Sequence, residues 1–417
     1  MRDFHSDLRA TPFLDRLRRE SIFIPMGRAH GHHEGDSLNA EMTGQWTARF
    51  VDSSLSERGY RSSPSGHLPK SVIEYLAEGG YEIFTCMGCH PRERIGSWAV
   101  GGGMTEIWLQ QEPQRLAQFH SHGLMSLSEW LSKLEKSKRF YGHVILRDTH
   151  RPWGDPSQLF SLLDWRTQAW AWARRLLKKP RNYPYDAYLA RRAALENPEG
   201  FAALRRQGLA RADAMVRQVF EATRHLPDVT YVVYSNHGEM FDHFRYNQRY
   251  SSWVNPQGLA MVEGTSHGSY PYEVLYANTQ MWCIPGWEPR VMQGIGRSID
   301  FTPTILALAK VKPERLDGQS MLNAFTAGKF EERERFAETP TMGGCLSMVR
   351  PDGMKLVALG SSERGFKQHR LAVFDLRSDP NEYVNLIDSM LGQQVLHWAI
   401  DRHAALKQWG TPVVSHE

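Results

Sequence analysis

Runs of apolar residues separated by polar breaks recur along this chain, and their spacing predicts alternating helices and strands. Thr11-Pro-Phe-Leu-Asp-Arg-Leu-Arg-Arg-Glu20 reads as a helix, with Thr11 as N-cap, Pro12 in the first turn and apolar residues at Phe13, Leu14 and Leu17. Ile22 to Ile24 follows as a short strand. Pro69 to Glu78 is an amphipathic helix that ends at Gly79-Gly80, a glycine C-cap, before a strand at Tyr81 to Thr85. That order of helix, glycine and strand is the rhythm of a doubly wound α/β fold. Further strands are expected at His143-Val-Ile-Leu-Arg147, Tyr231 to Tyr234 and Gln280-Met-Trp-Cys-Ile284, with a long amphipathic helix over 200–224. Asp300-Phe-Thr-Pro-Thr-Ile-Leu-Ala-Leu-Ala309 begins another helix. From about residue 340 the texture changes to short strand and turn units around Pro351-Asp-Gly353, Lys355 to Leu359 and Leu371 to Leu376. These predict a small antiparallel sheet, closed by a helix near Leu391 to Trp409. The expected division is an α/β catalytic domain over 1–335 and a C-terminal unit over 336–417.

Composition narrows the class without naming a function. Hydrophobic residues make up 41% and charged residues 23% of 417, an ordinary globular balance. No apolar run approaches the ~20 residues that span a bilayer, so no membrane span is expected, and a charged start predicts a cytoplasmic protein. A net charge of +4 does not call for nucleic acid but suits an anionic small-molecule substrate; a homo-oligomer is left open. Four cysteines are too few for a disulfide scaffold. Cys86-Met-Gly-Cys89-His90 fits the C-x-x-C-H haem-attachment pattern, but the default reading is a chance pair at a strand end, with a redox or metal pair and then haem as its alternatives. Between Asp164 and Arg192 lies a basic run rich in tryptophan, including Trp165, Trp170, Trp172, Arg174 and Arg175. It reads as a helix with tryptophans packed inward and a solvated basic face, rather than as a dock for an anionic partner.

Two polar segments carry candidate chemistry. Tyr231 to Tyr234 breaks into Ser235-Asn-His-Gly238, which sets Asn236 and His237 at the carboxyl end of a strand, where open α/β sheets bind ligands. Both side chains can hold a divalent cation, although an Asn-capped turn bearing a surface His would look the same. The segment after the first strand carries His30, His32, His33, Glu34 and Asp36 ahead of Ser37, where a helix starts; the alternative is a His-rich surface loop.

Several segments together, in order from about residue 11 to 390, resemble the sulfatase branch of the alkaline phosphatase superfamily. Thr11-Pro-Phe-Leu-Asp-Arg-Leu resembles the family's T-P-N-L-D-R-L, Met42-Thr-Gly44 its L-T-G, and Tyr234-Ser-Asn-His-Gly-Glu its S-D-H-G-E metal loop. Asp148-Thr-His-Arg-Pro-Trp is similar to D-P-H-R-P-W, Asp300-Phe-Thr-Pro-Thr-Ile-Leu to D-L-A-P-T-L-L, and Leu316-Asp-Gly-Gln-Ser to L-D-G-x-S. Phe374-Asp-Leu-Arg-Ser-Asp-Pro-Asn-Glu-Tyr-Val-Asn-Leu resembles the family's Y-D-L-x-x-D-P-x-E-x-x-N-L near the C-terminus. The resemblance implies a large parallel-rich sheet flanked by helices with a small C-terminal antiparallel sheet. It also implies metal-dependent hydrolysis or transfer of a phosphate, phosphonate or sulfate ester.

Carried over by position, the resemblance places Asn236 and His237 on metal-ligand positions and His150 on a substrate-oxyanion position. His267, in His267-Gly-Ser-Tyr-Pro-Tyr, resembles the phosphate-contacting His of the phosphoethanolamine and lipoteichoic acid transferases. Aligning Gly35-Asp-Ser-Leu-Asn-Ala-Glu41 with the transferases' G-K-T-S-D-A-E puts Ser37 on their nucleophile; aligning by distance to Thr43-Gly44 puts Glu34 there. Ser37 is preferred, because a hydroxyl on a cation such as Ca, Mn, Mg or Zn can form an attacking alkoxide. No C/S-x-P-x-R motif occurs in the expected segment, so formylglycine chemistry proper is not the expectation. The acidic first strand of the family has no counterpart beyond Asp3 and Asp7, Asn236 replaces the usual aspartate, and Met87-Gly-Cys-His90 lacks the lysine of the family's G-K-W-H. These departures motivate a second expectation, a catalytically impaired member with a binding or scaffold role.

Overall fold

A computed structural model describes residues 10–32, 34–46, 70–87, 132, 139–146, 149, 156–176, 189, 192–239, 271–339, 345–359 and 371–407. In chain order the elements begin with α1 (Pro12–Arg19), β1 (Ile22–Arg28), α2 (Glu34–Thr43), α3 (Val72–Glu78), β2 (Glu82–Met87) and β3 (Phe140–Ile145). Next come α4 (Pro156–Ser161), α5 (Trp165–Leu176), α6 (Pro198–Thr223), β4 (Tyr231–Tyr234), α7 (Glu273–Tyr276) and β5 (Ala277–Cys283). The strands β6 (Arg290–Val291) and β7 (Gly296–Arg297) lead through a 3-10 turn into α8 (Phe301–Leu308) and α9 (Leu322–Ala327). The chain closes with β8 (Arg335–Thr339), β9 (Cys345–Val349), β10 (Met354–Leu359), β11 (Leu371–Asp375) and α10 (Met390–Lys407).

The central sheet runs β4-β5-β1-β6, with β7 also on β1. Its strands pair in both senses: β1 is antiparallel to β5 and parallel to β6 and β7, and β4 is antiparallel to β5. Ile22, Ile24 and Trp282 bury one face against Phe301 and Phe325 of α8 and α9. Phe23 and Met281 bury the other against Leu17 of α1 and Phe220 of α6. Alternation along β1 therefore supplies both faces of a covered sheet. A parallel pair, β2 and β3, packs with α3 against Leu38 and Met42 of α2. The expected C-terminal sheet is present as the antiparallel order β11-β10-β9-β8, its inner face filled by Val395 and Ala399 of α10.

Ion pairs tie the two sheets together. Lys355 of β10 is fully buried, 2.7 Å from Glu382, 3.3 Å from Glu273 and 2.6 Å from the Pro271 carbonyl oxygen, to which it donates. Glu273 also accepts from Arg28 at 2.6 Å, at the end of β1. Burial alone would raise the Glu273 carboxyl, but Lys355, Arg28 and Arg335 together hold it far below the usual carboxylate range.

Two expectations need correction. Thr11 makes no capping hydrogen bond through its side chain; the amides of Phe13 and Leu14 instead donate to Asp213 of α6, at 3.2 and 2.7 Å. The tryptophans of α5 do not pack inward. Thr167 and Ala171 face the core, while Trp165, Trp170 and Trp172 are 72%, 46% and 62% exposed.

Candidate functional site

The site grows from a strand end meeting a helix. After β1 the chain passes the buried His30 and His32 and turns into α2, whose inner face carries Ser37, Leu38, Ala40, Glu41 and Met42. Ser37 and Glu41 are four residues apart, so both project from the same side of the helix. Gly44, at φ +64°, ends α2 in a left-handed turn, and its carbonyl accepts from the amides of Asp317 and Gly318. The M-T-G segment therefore acts as a helix stop locked to the L-D-G segment.

Facing α2 is the loop that leaves β4. The Ser235 amide continues the ladder to the Thr279 carbonyl at 3.2 Å. Gly238 then passes so close to α7 that a Cβ there would lie 2.0 Å from the Val274 carbonyl oxygen. Its amide donates to the Leu275 carbonyl at 2.9 Å. Between these anchors, Asn236 and His237 have little freedom. The Ser37 hydroxyl lies 3.0 Å from Glu41 Oε1 and 2.8 Å from the Asn236 backbone oxygen, and its single proton can serve one acceptor at a time. Asn236 Nδ2 donates to Glu41 Oε2 at 3.2 Å, which turns Oδ1 the other way; that oxygen is buried without a hydrogen-bond partner among the described residues. His237 Nδ1 lies 2.7 Å from the Gly238 carbonyl oxygen, an acceptor, so the proton sits on Nδ1 and the lone pair on Nε2.

Glu41 is the residue that sequence reasoning missed. Burial pushes its carboxyl up to about 8, against hydrogen bonds from Ser37, Asn236, Tyr234 and Ser298 that stabilise the charged form. Ser298 is itself held by Asn278 Nδ2 at 2.7 Å, and Asn278 Oδ1 accepts from Gln280 Nε2 at 3.2 Å. A polar chain thus runs through the sheet to the carboxylate. Its one legible signal was the i, i+4 spacing of Ser37 and Glu41.

Of the expected site residues, the fold brings Ser37 and Asn236 into contact and sets His237 beside them. His150, His267 and His33 lie outside the described residues, as do Asp3, Asp7, Cys89, His90 and the side chains of Glu34, Asp36 and Cys86. His30 belongs to a different contact: its Nδ1 donates to the Phe336 carbonyl of β8 at 2.7 Å, and its ring sits edge-on to Trp46. Burial lowers that imidazole to about 4, so it is neutral near pH 7. His32 is fully buried beside the Tyr276 ring. No three His, Cys, Asp or Glu side chains gather among the described residues. The donors next to Ser37 are mainly oxygens, which suit a hard cation better than a soft one.

No family model and no curated protein matches this chain. Solved structures do, over nearly its whole length. BT1596, a 2-O GAG sulfatase, superposes with a TM-score of 0.59 at 12% identity, over 95% of this chain and 87% of its own. BT4656, solved in complex with its substrate D-glucosamine-2-N,6-O-disulfate, gives 0.56 at 13% identity over 96% and 94%. The phosphonate monoester hydrolase of Agrobacterium radiobacter gives 0.55 at 13% over 95% and 90%. The chain has the fold these enzymes share, a mixed central sheet between helices with a separate small antiparallel sheet.

Proposed function

We propose that this chain, built on the fold of sulfatases and of a phosphonate monoester hydrolase, cleaves or transfers the acid group of an anionic sulfate, phosphonate or phosphate ester, with Ser37 as nucleophile. The observation that carries the reading is the hydrogen bond from the Ser37 hydroxyl to the buried carboxyl group of Glu41, beside the loop that leaves β4, the kind of strand end where open α/β sheets bind ligands. In this reading the ionised form of Glu41 orients the hydroxyl and takes its proton as Oγ attacks sulfur or phosphorus and displaces the alcohol; water, or a second alcohol in a transfer, then takes the acid group from Oγ and the proton returns to Ser37. His150 and His267 hold the oxyanion, and one of them protonates the leaving group.

The buried, unpartnered Oδ1 of Asn236 fits a divalent cation, which Ser37, Asn236 and His237 would hold with Glu41 adding a carboxylate. When bound, such a cation supplies positive charge against the ester's oxygens. The test is Ser37→Ala assayed on aryl sulfate, phosphonate and phosphate esters with the divalent metals supplied in turn. Loss of turnover with an unchanged circular-dichroism spectrum supports the serine; unchanged turnover removes it from the mechanism.

A second reading, a binding protein that keeps the fold without the reaction, is favoured by the complete burial of Ser37 and by the neutral Asn236. Metal analysis of the purified chain separates the two. A stoichiometric cation supports the enzyme, and none bound at millimolar supply supports the binding protein.

A further inference from the structure

The short helix α7 touches three parts of the molecule at once. The carbonyl of its last residue, Tyr276, accepts from the Ala29 amide at 2.8 Å, just past β1 on the way to Ser37. The Leu275 carbonyl accepts from the Gly238 amide at 2.9 Å, and the Val274 carbonyl oxygen fills the space that a Cβ on Gly238 would need. Both segments that carry the candidate site, the turn into α2 and the loop after β4, therefore rest on the backbone of one helical turn. A single turn cannot hold itself, because it fixes several torsions for very few hydrogen bonds. Something outside α7 must set its place.

That support comes from the C-terminal sheet. Tyr272 and Leu275 are buried with Val357 of β10 and Phe374 of β11. Apolar burial has no direction of its own, so the exact placement falls to the polar contacts. Lys355 Nζ, fully buried, donates to the Pro271 carbonyl just ahead of the helix and lies 3.3 Å from the Glu273 carboxylate. Glu382, 2.7 Å from Lys355, accepts from the Glu273 amide at 2.6 Å. That amide opens α7 and has no partner inside the helix. Arg28, at the end of β1, donates to the Glu273 carboxylate at 2.6 Å. Unpairing a charge in the interior is costly, so these contacts resist displacement. We infer that Lys355 and Glu382 are positioning residues for the candidate site: they fix α7, and α7 fixes both the loop bearing Asn236 and His237 and the segment leading to Ser37. Their part in catalysis rests on the reaction proposed above; the physical link does not.

Hydrogen exchange of the full chain, read by mass spectrometry without substrate, tests the link. Fragments covering Ala29 and Gly238 report the two contacts with α7. A fragment covering Met292, whose amide donates to the Phe23 carbonyl at 2.8 Å, reports the central sheet elsewhere. Glu382→Gln removes a charge and keeps one acceptor, and Lys355→Met removes the cation. Val395→Ala is the control, since Val395 of α10 is buried against the other face of the C-terminal sheet. E382Q should exchange about tenfold faster at Ala29 and Gly238 with no change at Met292, and K355M at least as much. V395A should keep the wild-type rate at both contacts. Should K355M fail to fold, E382Q decides alone. On an ester that wild type turns over, E382Q should also lower kcat about tenfold with KM changed much less. Three results would overturn the inference: wild-type exchange at both contacts in E382Q, the same acceleration in V395A, or an unchanged kcat in E382Q. If wild type cleaves none of the esters, the proposed reaction falls, and the exchange rates still decide the link.

Discussion

The Ser37 hydroxyl donates to the carboxylate of Glu41 one helical turn further along α2, at 3.0 Å, and the same carboxylate accepts from the side-chain amide of Asn236 at 3.2 Å. One buried acid thus joins the helix to the loop after β4. Replacing Glu41 by Gln keeps its shape but leaves the donors that share its two oxygens, Ser37, Asn236, Tyr234 and Ser298, competing for one. E41Q should lower turnover by about 10- to 100-fold, with KM changed much less than kcat. Full activity in E41Q would show that the carboxylate has no part beyond packing.

Gly238 offers a backbone test of the same loop. A methyl group there would meet the Val274 carbonyl oxygen at 2.0 Å, and a backbone atom cannot swing aside as a flexible side-chain end can. Gly238→Ala should therefore displace Asn236 and His237. Stability should drop by roughly 1–3 kcal/mol and activity should fall more than that loss explains. Chemical denaturation and turnover measured on the same sample check both halves.

Acid sensitivity should follow Glu273. Its carboxyl is held far below the ordinary range in the folded state, so the folded protein binds fewer protons there than the unfolded chain does. The stabilisation is present above the unfolded value of 4.5 and is lost as pH falls below it. The stability gap between wild type and Glu273→Gln should be widest at neutral pH, on the order of 3 kcal/mol, and should shrink as pH falls through 4. A gap independent of pH would remove the ion pairs as its cause.

The start of α1 depends on a residue 200 positions away. Asp213→Ala should cost about 1–2 kcal/mol by releasing the amides of Phe13 and Leu14, whereas Thr11→Ala should cost a few tenths. Thermal melts of the two variants side by side decide between these caps.

Residues close in sequence settled most of the elements by themselves. Pro12 opens α1, Ser71 and Glu74 form a capping box on α3, Tyr231 to Tyr234 is a strand, and the turn at Gly353 joins two strands of the C-terminal sheet. The ordered motifs were legible for the same reason, and they pointed to the sulfatase-like fold. Several of their residues have structural work: Glu382 clamps Lys355, and Asn385 Oδ1 accepts from the Val373 and Ile387 amides. Tertiary packing decided what local pattern leaves open. The spacing of Trp165 and Trp172 says that they share a face, but only the apolar surface offered by Leu159, Phe201 and Leu204 determines that Ala171 turns inward and the indoles outward. Likewise, the positions of Ser37 and Asn236 were readable, but their meeting at Glu41 was not. A side chain's partners across nearly two hundred residues depend on how sheet and helices stack, and no local periodicity encodes that.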